Sequence, residues 1–195
     1  ILYGKHVNLE KTTIFLQKWR VRLGHVFGLL IIIFARPEFK WLILGAAVAL
    51  AGEAIRVVSA GSIMKDRKLS ISGPYARTRN PLYFGSFLMY LGLCLAANNI
   101  WVTAAYFPFF FTVYYATIYR EEKFLAGKFG AEYEAFKAAV PRFLPRLMPA
   151  KGAEAGGGFS FSLAMKNKEY EALVAVIVTL GALWAMGLTG WTFKF

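Results

Sequence analysis

The residues best suited to chemistry lie in two short polar blocks. The first, residues 73–85, reads Gly-Pro-Tyr-Ala-Arg-Thr-Arg-Asn-Pro-Leu-Tyr-Phe-Gly and opens an apolar segment. The second follows that segment and the next apolar segment, and it begins with Arg120, Glu121 and Glu122. An unpaired charge or backbone polar group in hydrocarbon costs several kcal/mol, so neither block can face lipid. Both therefore belong at a membrane interface or around a polar cavity, and together they predict a cofactor site.

The side chains of the two blocks match the parts of a zwitterionic nucleoside. Tyr75 and Tyr83 offer rings for stacking on a base and hydroxyls for hydrogen bonds. Pro81 after Asn80 starts a helix, whose free N–H groups can bind a carboxylate. The two glutamates supply negative charge for an ammonium, a ribose or a sulfonium. S-adenosylmethionine has all of these groups. The alternative is an interfacial anchor in which arginine and tyrosine contact lipid headgroups.

Apolar segments dominate the rest of the chain. Hydrophobic residues make up 57% of its 195 residues, and a helix needs about 20 apolar residues to cross a bilayer core. The pattern predicts an all-α, multi-pass membrane protein with about five transmembrane helices and a cytoplasmic cofactor pocket. A soluble bundle of very apolar helices is the alternative. The five segments are residues 21–35, 41–60, 82–97, 100–119 and 172–190.

Domain boundaries follow from the same pattern. Residues 1–20 are predicted to form an amphipathic interfacial segment, and residues 21–147 the membrane core. Residues 148–168 are predicted to form a flexible cytoplasmic linker because they contain a glycine-rich stretch. Residues 169–195 would then be an appended transmembrane helix.

The net charge of +12 is distributed according to membrane topology. Of the 23 basic residues, 19 lie before or at the very start of the first apolar segment (the last of these is Arg22), between the second and third, or between the fourth and fifth. Positively charged loops stay in the cytoplasm, so the amino terminus and both polar blocks are predicted there and the carboxyl terminus outside. The anionic lipids of the bilayer are the expected partners of these charges. The expected location is a prokaryotic inner membrane. We expect no nucleic-acid partner.

No metal is expected. Cys94 is the single cysteine and lies inside an apolar segment, and His6 and His25 are far apart in the sequence. This spacing does not match a zinc site.

Glu53 and Arg56 lie inside the second apolar segment. Three residues apart, they face the same side of a helix and can pair. Ionisable residues within a membrane usually face a protein interior or a wet cavity and have a function. They are therefore candidates for substrate binding, and a self-neutralising structural pair is the alternative.

Both polar blocks resemble the signature of a known superfamily. The first reads Lys68-Leu69-Ser70-x-x-Gly73-Pro74-Tyr75-x-x-x-Arg79-Asn80-Pro81-Leu82-Tyr83-x-Gly85. The second reads Glu121-Glu122-x-x-Leu125-x-x-x-Phe129-Gly130-x-x-Tyr133-x-x-Phe136-x-x-x-Val140-Pro141-x-x-Leu144-Pro145. In this order, on either side of a helical hairpin, they resemble the isoprenylcysteine carboxyl methyltransferase and phospholipid methyltransferase superfamily. The resemblance covers residues 41–147.

The resemblance implies an integral membrane methyltransferase that uses S-adenosylmethionine and releases S-adenosylhomocysteine. Its acceptor would be a lipophilic small molecule or a prenylated compound that enters from the bilayer. Arg120 is a further candidate for contacting this acceptor, beside Glu53 and Arg56. Carried over by position, the residues expected to contact the cofactor are Arg67, Lys68, Leu69, Ser70, Tyr75, Asn80, Pro81, Leu82, Tyr83 and Glu121.

Two positions depart from the superfamily pattern. The superfamily usually has His at the position of Asn80, and Asn cannot titrate near neutral pH, which argues against a proton shuttle there. The prenylcysteine enzymes carry an Arg about one turn before the acidic pair, where this chain has Thr117 with Arg120 nearby. This second departure argues against a carboxyl-bearing prenylcysteine acceptor.

Methyl transfer from a sulfonium is an in-line displacement, which mainly requires alignment in a water-poor pocket. A carboxylate acceptor needs no base, whereas an ammonium acceptor must first lose a proton. Glu122 or Glu53 is the candidate base for that case. Glu122 and Asn80 are the candidate catalytic residues.

Two other functions fit the sequence less well. A membrane reductase of the sterol-reductase type has a similar carboxyl-terminal motif and binds NADPH. A non-catalytic scaffold or small transporter would use Glu53 and Arg56 without a cofactor. Cofactor preference distinguishes these alternatives.

Overall fold

All regular structure in the described part of the chain is helical. The computed structural model describes residues 2–63, 69–150 and 158–193, and for residues 2–11 the backbone alone. A 3₁₀ helix spans Gly73–Ala76. The α-helices are α1 (Leu2–Ile33), α2 (Phe39–Ala60), α3 (Pro81–Ala97), α4 (Ile100–Phe129), α5 (Ala131–Ala139), α6 (Phe161–Lys166) and α7 (Glu169–Thr189). The all-α prediction is confirmed.

The five longer helices, α1 to α4 and α7, alternate in direction, which gives the bundle two distinct ends. At the far end the α1–α2 and α3–α4 turns meet. There the Arg36 N–H donates to the Ala97 carbonyl at 2.8 Å, and the Asn99 side chain donates to the Phe34 carbonyl at 2.8 Å. At the opposite end, α2 finishes, α3 and α7 begin, and α1 and α4 run past. We call this the polar end, because the charged side chains described below meet there.

Helices α2 and α3 pack backbone to backbone. A Cβ atom added to Gly52 would lie 2.6 Å from the Gly85 carbonyl oxygen, and one added to Gly85 would lie 2.7 Å from that of Gly52. The same reciprocal approach recurs two turns away, where a Cβ on Gly92 would lie 2.5 Å from the Gly45 carbonyl oxygen. Small residues allow this closeness, which gives apolar helices dispersion contacts where lipid leaves little hydrophobic driving force. The α2–α3 pair is therefore the rigid part of the bundle.

Two of the described helices, α2 and α7, are long and apolar enough to cross a membrane by length and composition. Helix α3 is apolar but has 17 residues. Helices α1 and α4, with 32 and 30 residues, are longer than one crossing requires and carry polar residues toward the polar end. The fold is consistent with a helical membrane protein.

Three segments differ from the sequence-based prediction. Helix α1 continues through residue 20 without a break, so the predicted interfacial segment is continuous with the first apolar segment. Residues 161–166, predicted as linker, form α6, which is attached to α2 by the Ser160 N–H donating to the Gly61 carbonyl at 2.9 Å. Helix α7, predicted as an appendage, packs against α2 and α3. Part of the predicted linker, residues 151–157, lies outside the described residues.

The glycine contacts yield a test of the fold. We expect Gly52→Ala to lower the free energy of unfolding by about 2 kcal/mol, because overpacking a tight contact costs about 1–3 kcal/mol. Gly28→Ala is the matched control, since a Cβ there meets nothing within 4 Å and Ala is the better helix former. Thermal unfolding in detergent measures both. Equal stability of the two variants would contradict the proposed packing.

Candidate functional site

Glu122 connects three parts of the polar end. Both of its carboxylate oxygens are engaged, although the residue is only 8% exposed. Arg142 donates from Nε to Oε2 at 3.0 Å, and its Nη2 lies 2.9 Å from the same oxygen. Arg79 Nη1 lies 3.3 Å from Oε1, and the Asn80 side chain donates to Oε1 at 3.4 Å. A carboxylate on α4 thereby binds both the segment before α3 and the chain that leaves α5.

The chain after α5 lies along the first polar block. The Arg79 N–H donates to the Pro141 carbonyl and the Arg146 N–H to the Arg77 carbonyl, each at 2.9 Å. Farther along, the Ala150 N–H donates to the Ala76 carbonyl at 2.9 Å. We call residues 141–150 the exit strap. Since these bonds continue over its whole length, the two polar blocks form one unit.

Glu121 is the more accessible carboxylate. Its side chain is 41% exposed, and its Oε1 accepts a hydrogen bond from the Tyr83 hydroxyl at 2.5 Å. Arg20 on α1 donates to the same hydroxyl at 2.6 Å, and its guanidinium lies 3.7 Å from Glu121 Oε1. This arrangement leaves part of the Glu121 carboxylate open to a ligand, in contrast to Glu122.

Arg56 forms a third polar contact at the same end. Its Nε lies 3.3 Å from Glu53 Oε2, which confirms the predicted pairing. Its guanidinium also donates to the Ser86 hydroxyl and, at 2.8 Å, to Glu169 on α7. The Glu53 carboxylate is 3% exposed and has no hydrogen-bond partner among the described residues. Arg56 therefore joins α2, α3 and α7.

Tyr75 places a donor inside the first block. Its hydroxyl is buried and has no hydrogen-bond partner in the described part of the chain. Burial, and then the charge of Glu121, raise the pKa of Tyr75, so the hydroxyl stays protonated at neutral pH. A buried hydroxyl without a partner is uncommon in native proteins, and it marks a position where a ligand atom can accept.

Tyr133 on α5 lies on the other side of the same unit. Burial, and then the nearby Glu122 carboxylate, raise the pKa of Tyr133 to about 12. Its ring packs with Leu69, Phe136, Val140 and Ala150 in a small core beneath the exit strap. Helix α5 therefore packs against the exit strap through this small core.

Comparisons with known proteins identify the family of this chain. The phospholipid methyltransferase family model matches residues 23–132, more than half of the chain and a stretch that includes the first polar block and both glutamates. The chain belongs to the phospholipid methyltransferase family. The resemblance to the superfamily is thereby confirmed.

Curated relatives of this methyltransferase family member carry two kinds of name. "Cobalt-zinc-cadmium resistance protein CzcN" of Cupriavidus metallidurans is 31% identical over 142 residues, which are 69% of this chain and 65% of the relative. "Protein-S-isoprenylcysteine O-methyltransferase" of Schizosaccharomyces pombe is 30% identical over 100 residues, 51% and 42% of the two chains. "Nickel-cobalt-cadmium resistance protein NccN" of Alcaligenes xylosoxydans xylosoxydans is 27% identical over 137 residues, 66% and 63% of the two chains.

In each of these three matches the chain spans less than two thirds of the relative's length. No solved structure matches the chain significantly.

The structure brings many of the predicted site residues of this methyltransferase family member together. Asn80 contacts Glu122 and Tyr83 contacts Glu121, and Tyr75 and Pro81 are buried in the same segment of the chain. Leu69 is buried in the small core under the strap, and Ser70 and Leu82 are half-buried. Arg67 and Lys68 lie outside the described residues.

The three predicted substrate-binding residues separate into two places. Glu53 and Arg56 lie together at the α2–α7 contact. Arg120 instead donates to the Gln17 side chain at 2.7 Å, between α4 and α1. The described residues contain no group of three His, Cys, Asp or Glu side chains that could hold a metal ion, and the absence of a metal stays a prediction.

Sequence reasoning missed three partners. It assigned no role to Arg142, although this residue lies between two prolines of the second block. Arg79 was part of the quoted motif, but its pairing with Glu122 was not predicted. Glu169 was assigned to the appended helix, and only the fold shows that α7 starts beside Arg56.

The contacts of Glu122 can be tested by their effect on stability. We expect Glu122→Gln to cost about 3 kcal/mol and to expose the exit strap to protease, because Arg79 becomes a buried, unpaired charge. Glu134→Gln is the matched control, since Glu134 forms an exposed ion pair with Lys137, and such pairs contribute about 0.5 kcal/mol. Limited proteolysis and thermal unfolding measure both effects. A strap equally protected in Glu122→Gln would contradict the assignment.

Proposed function

We propose that this protein is an integral membrane methyltransferase that transfers the methyl group of S-adenosylmethionine to a lipophilic, membrane-dissolved acceptor. One observation carries the proposal. Adjacent carboxylates on α4, Glu121 and Glu122, contact the segment from Arg79 to Tyr83, so that both superfamily motifs form a single polar site. The family membership supports the reaction class, and the geometry supports the location.

The groups at the polar end fit the proposed cofactor. The partly exposed carboxylate of Glu121 can accept hydrogen bonds from an ammonium or from ribose hydroxyls. The Tyr75 hydroxyl has no hydrogen-bond partner in the part of the chain that the structure describes and can donate to a heteroatom of the base or the carboxylate. The Tyr83 ring is buried with the Arg20 guanidinium over it, and its hydroxyl contacts Arg20 and Glu121, so Tyr83 is a proposed contact at the edge of the cofactor. Arg67, Lys68, Ser70, Pro81 and Leu82 are proposed contacts carried over by position.

When bound, S-adenosylmethionine supplies an electrophilic methyl group on a sulfonium. The residues of this chain need to orient the acceptor in line with it and exclude water. Glu122 remains the candidate base for an amine acceptor, yet both its oxygens are engaged by arginines, so it could act as a base only after Arg142 moves away. Asn80 holds the strap by donating to the Arg142 carbonyl at 2.9 Å.

The acceptor is proposed as an amine, such as a phospholipid headgroup, or as a carboxylate of the isoprenylcysteine type, although Thr117 in place of an arginine argues against the second of these. Glu53 and Arg56 are proposed to contact its polar part, whereas Arg120, which lies apart between α4 and α1, stays a separate proposal carried over from the sequence. The proposed topology has five membrane spans, with the polar end in the cytoplasm of a prokaryotic cell and the carboxyl terminus outside. α1 and α4 would then extend beyond the bilayer on the cytoplasmic side.

Calorimetric titration of the detergent-purified protein with S-adenosylhomocysteine tests the cofactor assignment, with NADPH as a parallel ligand. We expect saturable S-adenosylhomocysteine binding that Glu121→Ala and Tyr83→Ala abolish. Glu38→Ala is the control, since Glu38 lies at the far end in an exposed pair with Lys40. NADPH binding in place of S-adenosylhomocysteine would favour the reductase. If the folded protein bound neither ligand, both the methyltransferase and the reductase assignments would be contradicted.

Tyr75 gives a finer test of the same site. We expect Tyr75→Phe to leave thermal stability unchanged, because the hydroxyl has no hydrogen-bond partner among the described residues, and to weaken S-adenosylhomocysteine binding about tenfold. Tyr106→Phe should lower thermal stability and leave S-adenosylhomocysteine binding unchanged, since the Tyr106 hydroxyl donates to the Phe87 carbonyl at 2.8 Å within the bundle. Stability measurements and titrations of both variants decide the matter. Unchanged binding by Tyr75→Phe would exclude this contact.

A further inference from the structure

An apolar groove of about 490 Å³ lies at the far end of the bundle. It is formed where the end of α1, which contributes Ile32, faces the last two turns of α7, which contribute Ala182, Ala185 and Met186. The groove shares no residue with the candidate functional site at the polar end. Its role is therefore a separate question from that of the site.

The chain after α7 closes one end of this groove. Gly190 has a φ of 65°, in the left-handed region, so the backbone turns there and does not continue the helix. Beyond the turn, Trp191 and Phe193 line the groove, with ring centroids 4.5 Å apart. The groove therefore has an aromatic end wall as well as two helical sides.

The lining fits hydrocarbon. Thr189 carries its one hydroxyl, which donates to the Ala185 carbonyl at 2.8 Å and accepts from the Trp191 N–H at 3.3 Å. The Trp191 side chain is half exposed, so its indole N–H can bond at the aqueous edge. Water inside the groove would find no free polar partner among these residues, and apolar cavities exclude water.

The groove also lies at the depth of lipid chains. Trp41, Trp101 and Trp191 are exposed at the far ends of α2, α4 and α7, as tryptophans at a membrane interface are. From Thr189 to Ala182 the groove extends about 10 Å along α7, at about 1.5 Å per residue. Half of a bilayer core measures about 15 Å, so the groove lies within the leaflet at the far end.

A cation lies where the headgroup of such a lipid would be. Arg36, in the turn after α1, is exposed and forms no ion pair with another described residue. The proline that follows it lies 4.0 Å from a Cβ added to Gly187 of α7, which places this turn beside the groove. Glu38 in the same turn is already bound by Lys40 at 3.3 Å and by Asn98 at 3.1 Å. The Arg36 guanidinium is thus available to a phosphate, which it can bind through two N–H groups.

We propose that the groove between α1 and α7 binds one glycerophospholipid of the leaflet at the far end, with an acyl chain in the groove and its phosphate on Arg36. The proposal requires that the bundle spans a membrane, and it depends on neither the cofactor nor the acceptor. The bound chain fills space that side chains leave between the two helices. Because α7 begins with Glu169, the partner of Arg56, this lipid also helps to hold a helix that the polar end requires.

Photolabelling tests the groove. The probe is phosphatidylglycerol with a diazirine in one acyl chain, added to the full chain in dodecyl maltoside. We expect saturable labelling of peptides that contain residues 30–33 and 182–189. Ala185→Trp should reduce it about tenfold, because the added ring occupies the groove. Ala175→Trp is the matched control, since Ala175 is also exposed on α7 and its carbonyl also accepts a threonine hydroxyl at 2.8 Å, but it does not line the groove.

Competition by unlabelled lipids tests the phosphate contact. Phosphatidylglycerol should compete with the probe about tenfold better than dioleoylglycerol, which has no phosphate. Arg36→Gln should remove this difference, whereas Lys137→Gln, the same change of charge on α5 at the polar end, should retain it.

Labelling that does not saturate, or that both tryptophan variants reduce equally, would overturn the groove as a lipid site. Equal competition by the two lipids in the wild-type protein would overturn the assignment of a phospholipid. If Ala185→Trp does not fold, Ala182→Leu replaces it, because Ala182 lines the same groove and the added group is smaller.

Discussion

The polar end depends on one buried carboxylate, that of Glu122. Arg79 and Arg142 approach it from two segments that are far apart in the sequence, and Asn80 bonds to the same group. Taking a carboxylate and a guanidinium out of water costs several kcal/mol, which good geometry must repay. Removing one charged partner of Glu122 would therefore release the exit strap and expose the small core around Tyr133. It would also separate the two motifs of the family.

The adjacent residues Glu121 and Glu122 therefore differ in their contacts and in their exposure to solvent. Glu122 is buried and neutralised by arginines, and it stabilises the site. Glu121 is partly exposed, touches Tyr83 and remains available to a ligand. The backbone packing of α2 on α3 supplies a rigid wall behind them.

Sequence alone was sufficient for the helical class, the family and the Glu53–Arg56 pair, because periodic apolar segments and short motifs are local signals. It did not predict the partners of Glu122, since Arg142 is twenty residues away in the sequence and reaches it only after α5 reverses the chain. The position of α7 could not be predicted from the sequence either, because nothing local in residues 169–190 specifies Arg56 as the partner of Glu169. The sequence did not show that residues 2–20 and the first apolar segment form one helix, because their composition changes near residue 20 while the backbone continues without a break. The roles assigned to individual site residues stay predictions.

Ultraviolet cross-linking of methyl-labelled S-adenosylmethionine to the purified protein tests the central claim most directly, because it reports both the cofactor and its position. We expect saturable labelling, displaced by S-adenosylhomocysteine, in peptides that contain residues 69–83 and 121–136. Label confined to α7 or to the far end, or label that S-adenosylhomocysteine does not displace, would contradict it.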